Sequence, residues 1–199
     1  MADVPPLIAI DVAILPPPEI VSIALALSAA LPRSESRGLL LDASHLPHVT
    51  LTQQFIPVAD LPRVTAAVGA VLHERKAIRL RVSGPARGSN SVWMQIERTA
   101  ALDDLHRALM GALLPFEQRR GALGAFVDGD ARPDDVRWVT GFRRHSSDRR
   151  YTPHVTLGHA SQPPSVEPMT FDAETVAMCH LGRFCACREV LRSWTLTAP

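Results

Sequence analysis

The pentapeptide PHVTL occurs at 47–51 and again at 153–157, with its two histidines 106 positions apart. Successive side chains of a β-strand point to opposite faces. His48 and Thr50 therefore share one face, with Val49 and Leu51 on the other. His154 and Thr156 are set in the same way against Val155 and Leu157. Proline has no N–H to give a ladder, so within sheets it is confined to the first residue of a strand, an edge strand or a bulge. Pro47 and Pro153 thus place each histidine at a strand's beginning, within reach of a surface or cleft. A chain that repeats such a unit is constrained to a fold with two equivalent strands.

The rest of the chain mixes strand and helix patterns without a regular βαβα alternation, which points to an α+β fold with largely antiparallel sheets. LIAIDVAIL (7–15) reads as a strand, and the proline-led PPPEIVSIALALSAALPRS as a helix. HVTLTQQFI (48–56) reads as a strand, and 60–76 as a helix with Asp60 as its N-cap. IRLRVSG and SVWMQIER alternate, with GPARGSN between them, and predict a hairpin. A stripe of Leu102, Leu105, Leu109 and Leu113 predicts a helix over 99–116. The segment 117–150 is Arg- and Gly-rich and reads as loop around a short strand VRWVTGF (136–142). Strand-like stretches follow at 154–160, 169–181 and 184–198. Trp93 and Trp138 fall in expected strands, where core packing is the ordinary role.

The formal net charge is +1, so nothing calls for a long duplex or an anionic membrane as partner. Twenty of the 21 basic residues are arginine, which is compatible with a phosphate site without establishing one. Cys179, Cys185 and Cys187 lack zinc-finger spacing and read as buried free thiols. The first residues carry no basic leader, and the apolar run IVSIALALSAAL is 12 residues, too short to span a bilayer. A cytoplasmic location is expected.

Two imidazoles and two hydroxyls around one central volume suit in-line displacement at phosphorus. Histidine's ordinary pKa lets one copy be neutral and the other charged near pH 7. One can then serve as general base and the other as general acid. The threonines can donate to non-bridging phosphate oxygens. No carboxylate cluster accompanies the motif, so no metal or cofactor is called for. A zinc site built from His45, His48, His154 or His159 would leave the duplicated threonines without a role.

The two H-x-T motifs at this separation resemble the signature of the two-histidine (2H) phosphoesterase superfamily, with its 2′-5′ RNA ligase-like proteins and cyclic nucleotide phosphodiesterases. The opening LIAIDVAILPPPEIVSIALAL and the closing FDAETVAMCHLGRFCACREVLRSWTL also resemble that family's first strand and helix and its last hairpin. The resemblance implies a single bilobal domain over 1–199, with two pseudo-symmetric lobes of antiparallel sheet and outer helices around a cleft. It implies His48 and His154 as the acid–base pair and Thr50 and Thr156 as phosphate ligands. The substrate would be a nucleotide or RNA end with a cyclic or 2′,5′-linked phosphate, with no membrane and no obligate protein partner. Ligase-like members often carry an arginine where this chain has His159. His159, Arg149 and Tyr151 are therefore candidate substrate contacts. The expected reaction is metal-independent hydrolysis of a 2′,3′-cyclic phosphate end, with 2′,5′-RNA ligation or cleavage and a nucleotide-binding module with little catalysis as alternatives.

Overall fold

A computed structural model describes residues 5–198. Its order is β1 (Leu7–Leu15), α1 (Pro18–Ala29), β2 (Val49–Pro57), α2 (Leu61–Leu72), β3 (Ile78–Arg87), β4 (Ser91–Ile96), α3 (Ala100–Leu113), α4 (Pro133–His145), β5 (His154–His159), β6 (Met169–Ala173), β7 (Thr175–Leu181) and β8 (Cys187–Thr195). The strands form two four-stranded sheets, β2-β1-β7-β8 and β5-β4-β3-β6. Every pairing between these eight strands is antiparallel. The α+β expectation therefore holds. Among the described residues no helix is long and apolar enough to cross a membrane.

Both copies of the pentapeptide lie on edge strands, β2 in the first sheet and β5 in the second. That is where a preceding proline is tolerated. The two edges touch, and Tyr151, two residues ahead of Pro153, donates its hydroxyl to the Thr50 carbonyl at 2.9 Å. Val49, Leu51, Val155 and Leu157 are fully buried in one cluster that joins both sheets to α1, α2 and α3. Half of each pentapeptide is thus an anchor, as strand alternation requires.

The opposite face of the first sheet has a second, smaller core. Ala9, Ala13, Ala177, Cys179 and Cys187 pack there under Ala125, Phe126, Ala131 and Val139. Small side chains on the sheet let segment 122–145 lie close against it. All three cysteines are buried and free.

Three readings change. Residues 136–142 are not a strand but the middle of α4. Pro133 at the first turn, Asp134 and Asp135 beside it, and Arg143, Arg144 and His145 in the last turn are helix-end signals that suit the macrodipole. Val139 and Phe142, three apart, are its buried stripe, and the β-branched residues around Trp138 mask that spacing. The stretch 169–181 is two strands, broken at Glu174, which serve different sheets. The β3–β4 turn is residues 88–90, because β3 continues through Gly84–Arg87 past a bulge.

Candidate active site

Each histidine is fixed by the same local bond. His48 Nδ1 meets the Leu46 carbonyl and His154 Nδ1 meets the Thr152 carbonyl, both at 2.7 Å. A carbonyl can only accept, so Nδ1 carries the proton and Nε2 is left free in the neutral ring. Both rings are half-buried, as are Thr50 and Thr156.

The pentapeptides also share a backbone irregularity. In β2, Thr50 stands opposite Ala13 and Thr52 opposite Val12, so Leu51 is an extra residue. In β5, Thr156 stands opposite Trp93 and Gly158 opposite Val92, so Leu157 is extra. Each PHVTL therefore ends in a β-bulge, a device that re-aims the side chains after it. Gly158 carries φ +148°, a backbone value glycine adopts without strain. Beyond the bulge the face changes by one residue. Gln53, opposite Asp11, joins the face of Thr50, and His159, opposite Ser91, joins the face of Thr156.

Around His48 the bulge assembles a polar cluster. Asp11 is fully buried in mid-strand, and its Oδ2 accepts from Thr50 Oγ1 at 2.7 Å and from Gln53 Nε2 at 2.8 Å. His48 Nε2 lies 3.7 Å from the same oxygen. Among the described residues Asp11 Oδ1 has no partner. Burial pushes the Asp11 carboxyl above its ordinary range, opposed in turn by His48, Gln53 and Thr50. Gln53 Oε1 accepts from the Trp138 indole at 3.0 Å, which ties α4 to the cluster.

His154 has different company. Its ring lies 5.0 Å from Trp93, centroid to centroid, with the planes tilted by 42°. Trp93 donates to Gln95 Oε1 at 3.0 Å, and Gln95 Nε2 donates to the Pro153 carbonyl at 2.9 Å. Burial holds the His154 imidazole below its ordinary value. The bond to Thr152 opposes this, and the charge of a protonated His48 adds to it. The two rings thus sense one another across the paired edges.

The other expected contacts fall at different depths. Tyr151 is 3% exposed, its ring stacked on His106 at 4.0 Å, and burial and the Asp11 charge keep its phenol far from ionising. It braces the site from behind. Arg149 is exposed on the short turn 148–150. His159 is buried against Phe184, and among the described residues its Nδ1 has no partner. Burial, together with Arg132 and Arg37, holds its pKa down. Sequence alternation does not find Asp11 or Gln53, because it puts 48, 50, 52 and 54 on one face. The signal for Asp11 is a carboxylate inside the apolar run LIAIDVAIL.

Asp11, His48 and Cys187 bring potential ligand atoms within 4.8 Å of one another. The set is poorly prepared for a metal. Burial pushes the Cys187 thiol well up, away from the thiolate that binds zinc, and Asp11 Oδ2 is already an acceptor twice over.

Two antiparallel sheets presenting paired H-x-T strands define a two-histidine phosphoesterase. Residues 30–177 match the 2′-5′ RNA ligase superfamily, and the chain belongs to that family. None of the curated proteins matches the sequence. The protein TT0787 of Thermus thermophilus superposes with a TM-score of 0.63 at 18% identity, over 96% of this chain and 99% of that one. Escherichia coli LigT in its apo form gives 0.64 at 17%, with the same coverages. A protein solved as a phosphoesterase gives 0.62 at 16%, over 95% and 98%. LigT has also been solved with NADP+, 3′-AMP, phosphate and ATP. At such identities the likeness speaks for the fold.

Proposed function

We propose that the chain is a metal-independent phosphoesterase that opens 2′,3′-cyclic phosphates at nucleotide or RNA ends, with His154 as general base and His48 as general acid. The observation that carries this reading is the unequal surroundings of two otherwise identical histidines. Burial keeps His154 neutral, with Nε2 free to accept a proton. His48, once protonated, has the Asp11 carboxyl 3.7 Å from Nε2, on an ordered cluster. The ligands of LigT, 3′-AMP and phosphate among them, support a nucleotide phosphate as the group bound.

The step balances with water alone. A water oxygen attacks phosphorus and its proton passes to His154 Nε2. The bond from phosphorus to one ribose oxygen breaks, and His48 Nε2–H gives its proton to that oxygen. The product is a nucleoside monophosphate with a free neighbouring hydroxyl. Thr156 donates to a non-bridging oxygen as charge builds there. Thr50 is already bonded to Asp11, so in this step it holds the counter-charge of His48 in place and leaves the larger share of phosphate donation to Thr156.

The test is turnover of 2′,3′-cyclic nucleotides in the presence of a chelator. His48→Ala and His154→Ala should each lose roughly 10²–10⁴-fold in kcat. The acid limb of the pH profile should lie below the ordinary histidine value of about 6.5, because His154 is held down. Full activity in either variant, or activity lost to the chelator, sinks the proposal.

A further inference from the structure

The helix α4 borders a groove of about 1170 Å³ whose charged residues are mainly basic, five arginines against two acids. Its two acids are engaged, Glu117 with Arg143 and Asp134 with Arg137. Arg119, Arg120 and Arg144 are exposed and make no ion pair among the described residues. Trp138, 50% exposed, lines the same groove. Half of the indole faces water beside guanidinium groups that pair with no acid among the described residues. Its N–H is bonded to Gln53, which reaches Asp11 and Thr50 with its other end. The exposed ring is thus held two hydrogen bonds from the candidate phosphate site.

We propose that this groove is a binding tract for single-stranded RNA leading up to the reacting phosphate. Trp138 stacks one base, and Arg119, Arg120 and Arg144 meet the backbone phosphates. Stacking on an exposed aromatic is sequence-tolerant, and a basic groove that tracks the backbone supplies the rest of the affinity. The net charge of +1 does not oppose this, because the tract needs only local charge. The choice of an RNA end as substrate rests on the function proposed above. The groove makes the preferred substrate an oligonucleotide rather than a mononucleotide.

Binding is tested apart from turnover. The probe is a fluorescein-labelled eight-nucleotide RNA ending in a 3′-phosphate, followed by anisotropy over a salt series. Trp138→Ala should weaken binding about tenfold, within the range for loss of one stacked base. Trp138→Phe, which keeps a stacking face but loses the bond to Gln53, should restore most of the affinity. Arg119→Ala/Arg120→Ala should weaken binding and lower the slope of log K against log salt by about 1.4, at about 0.7 per phosphate contact. In turnover, the preference for a cyclic-phosphate octamer over the mononucleotide should fall at least tenfold in both the arginine variant and Trp138→Ala.

Equal losses in Trp138→Phe and Trp138→Ala would make the indole a prop for Gln53 and overturn the stacking. An arginine variant with unchanged affinity and salt slope would overturn the tract. RNA binding that obeys these expectations without turnover of any cyclic phosphate would leave the tract standing and refute the proposed reaction instead.

Discussion

The two lobes carry the same five residues and treat them differently. Both use proline to begin an edge strand, a carbonyl two residues back to fix Nδ1, and the final leucine as a bulge. The motif therefore specifies the aim of each histidine and threonine, including the local break that ends the pairing. The neighbouring central strand sets the surroundings of each ring. In the first lobe β1 contributes a buried carboxyl, and the bulge brings Gln53 onto it. In the second lobe β4 contributes an indole and an amide, and the bulge brings up His159. Duplication gives symmetric geometry, and substitutions on adjacent strands give one ring a counter-ion and the other a place where charge is disfavoured. That asymmetry is what an acid and a base need.

The sharpest way to break the comparison is through the threonines. Among the described residues the Thr156 hydroxyl makes no hydrogen bond, whereas Thr50 donates to Asp11 at 2.7 Å. Thr156→Val should lower kcat about a hundredfold, as loss of an oxyanion donor does, with little change in Tm. Thr50→Val should show the reverse balance. Its loss in kcat should be smaller, and stability should fall by about 1–3 kcal/mol because a buried carboxyl loses a donor. Kinetics and thermal melts on the two variants check this. Equal effects in both would mean that the lobes are functionally symmetric.

Asp11→Asn is the next smaller test. Asparagine keeps the shape and can still accept from Thr50, so kcat should fall by about tenfold as protonated His48 loses its counter-charge. Stability should move the other way. A carboxyl whose folded pKa is raised binds more protons folded than unfolded, so the wild type loses stability as pH rises from the unfolded value near 3.9 through the folded one. The variant should therefore melt higher than wild type at pH 7, and the gain should vanish towards pH 4. The histidines have the opposite sign. His154, His106 and His159 are all held down, chiefly by burial. They bind fewer protons folded than unfolded, so stability is lost as pH falls below about 6.5. Melts from pH 8 to 4 on wild type and Asp11→Asn separate the two contributions.

The pentapeptides, their strand starts and the α+β class are legible because each depends on local rules: alternation, proline's missing donor, and helix patterns such as the leucine stripe of α3. What escapes depends on register. A bulge is a relation between two strands, so nothing in QQFI announces that Gln53 rather than Thr52 faces Asp11. Trp138 is misplaced for a similar reason. In VRWVTGF the β-branched residues favour a strand locally, but Pro133, two aspartates and the terminal basic residues fix a helix across the whole segment. Tyr151 lies next to the motif in sequence, which suggests a substrate contact. Its depth comes from stacking on His106, 45 positions away.

That buried tyrosine offers the smallest test, and it concerns how the lobes are joined. Its hydroxyl reaches from the approach to the second pentapeptide to the carbonyl of Thr50 in the first. The His106 beneath it is satisfied on both nitrogens, by the Leu51 carbonyl at 2.7 Å and the Asp148 N–H at 3.1 Å. Tyr151→Phe keeps the stacked ring and removes one bond, leaving a part-buried carbonyl without that donor. The expected cost is about 1–2 kcal/mol, or a Tm lower by about 2–8 °C in a chain of this size. Because the bond holds the backbone between His48 and Leu51, kcat should fall a few-fold while KM for a mononucleotide stays put. A melt as high as wild type with an unchanged kcat would show that the packed edges alone hold the two histidines in register, and that the symmetric motif needs no staple between its copies.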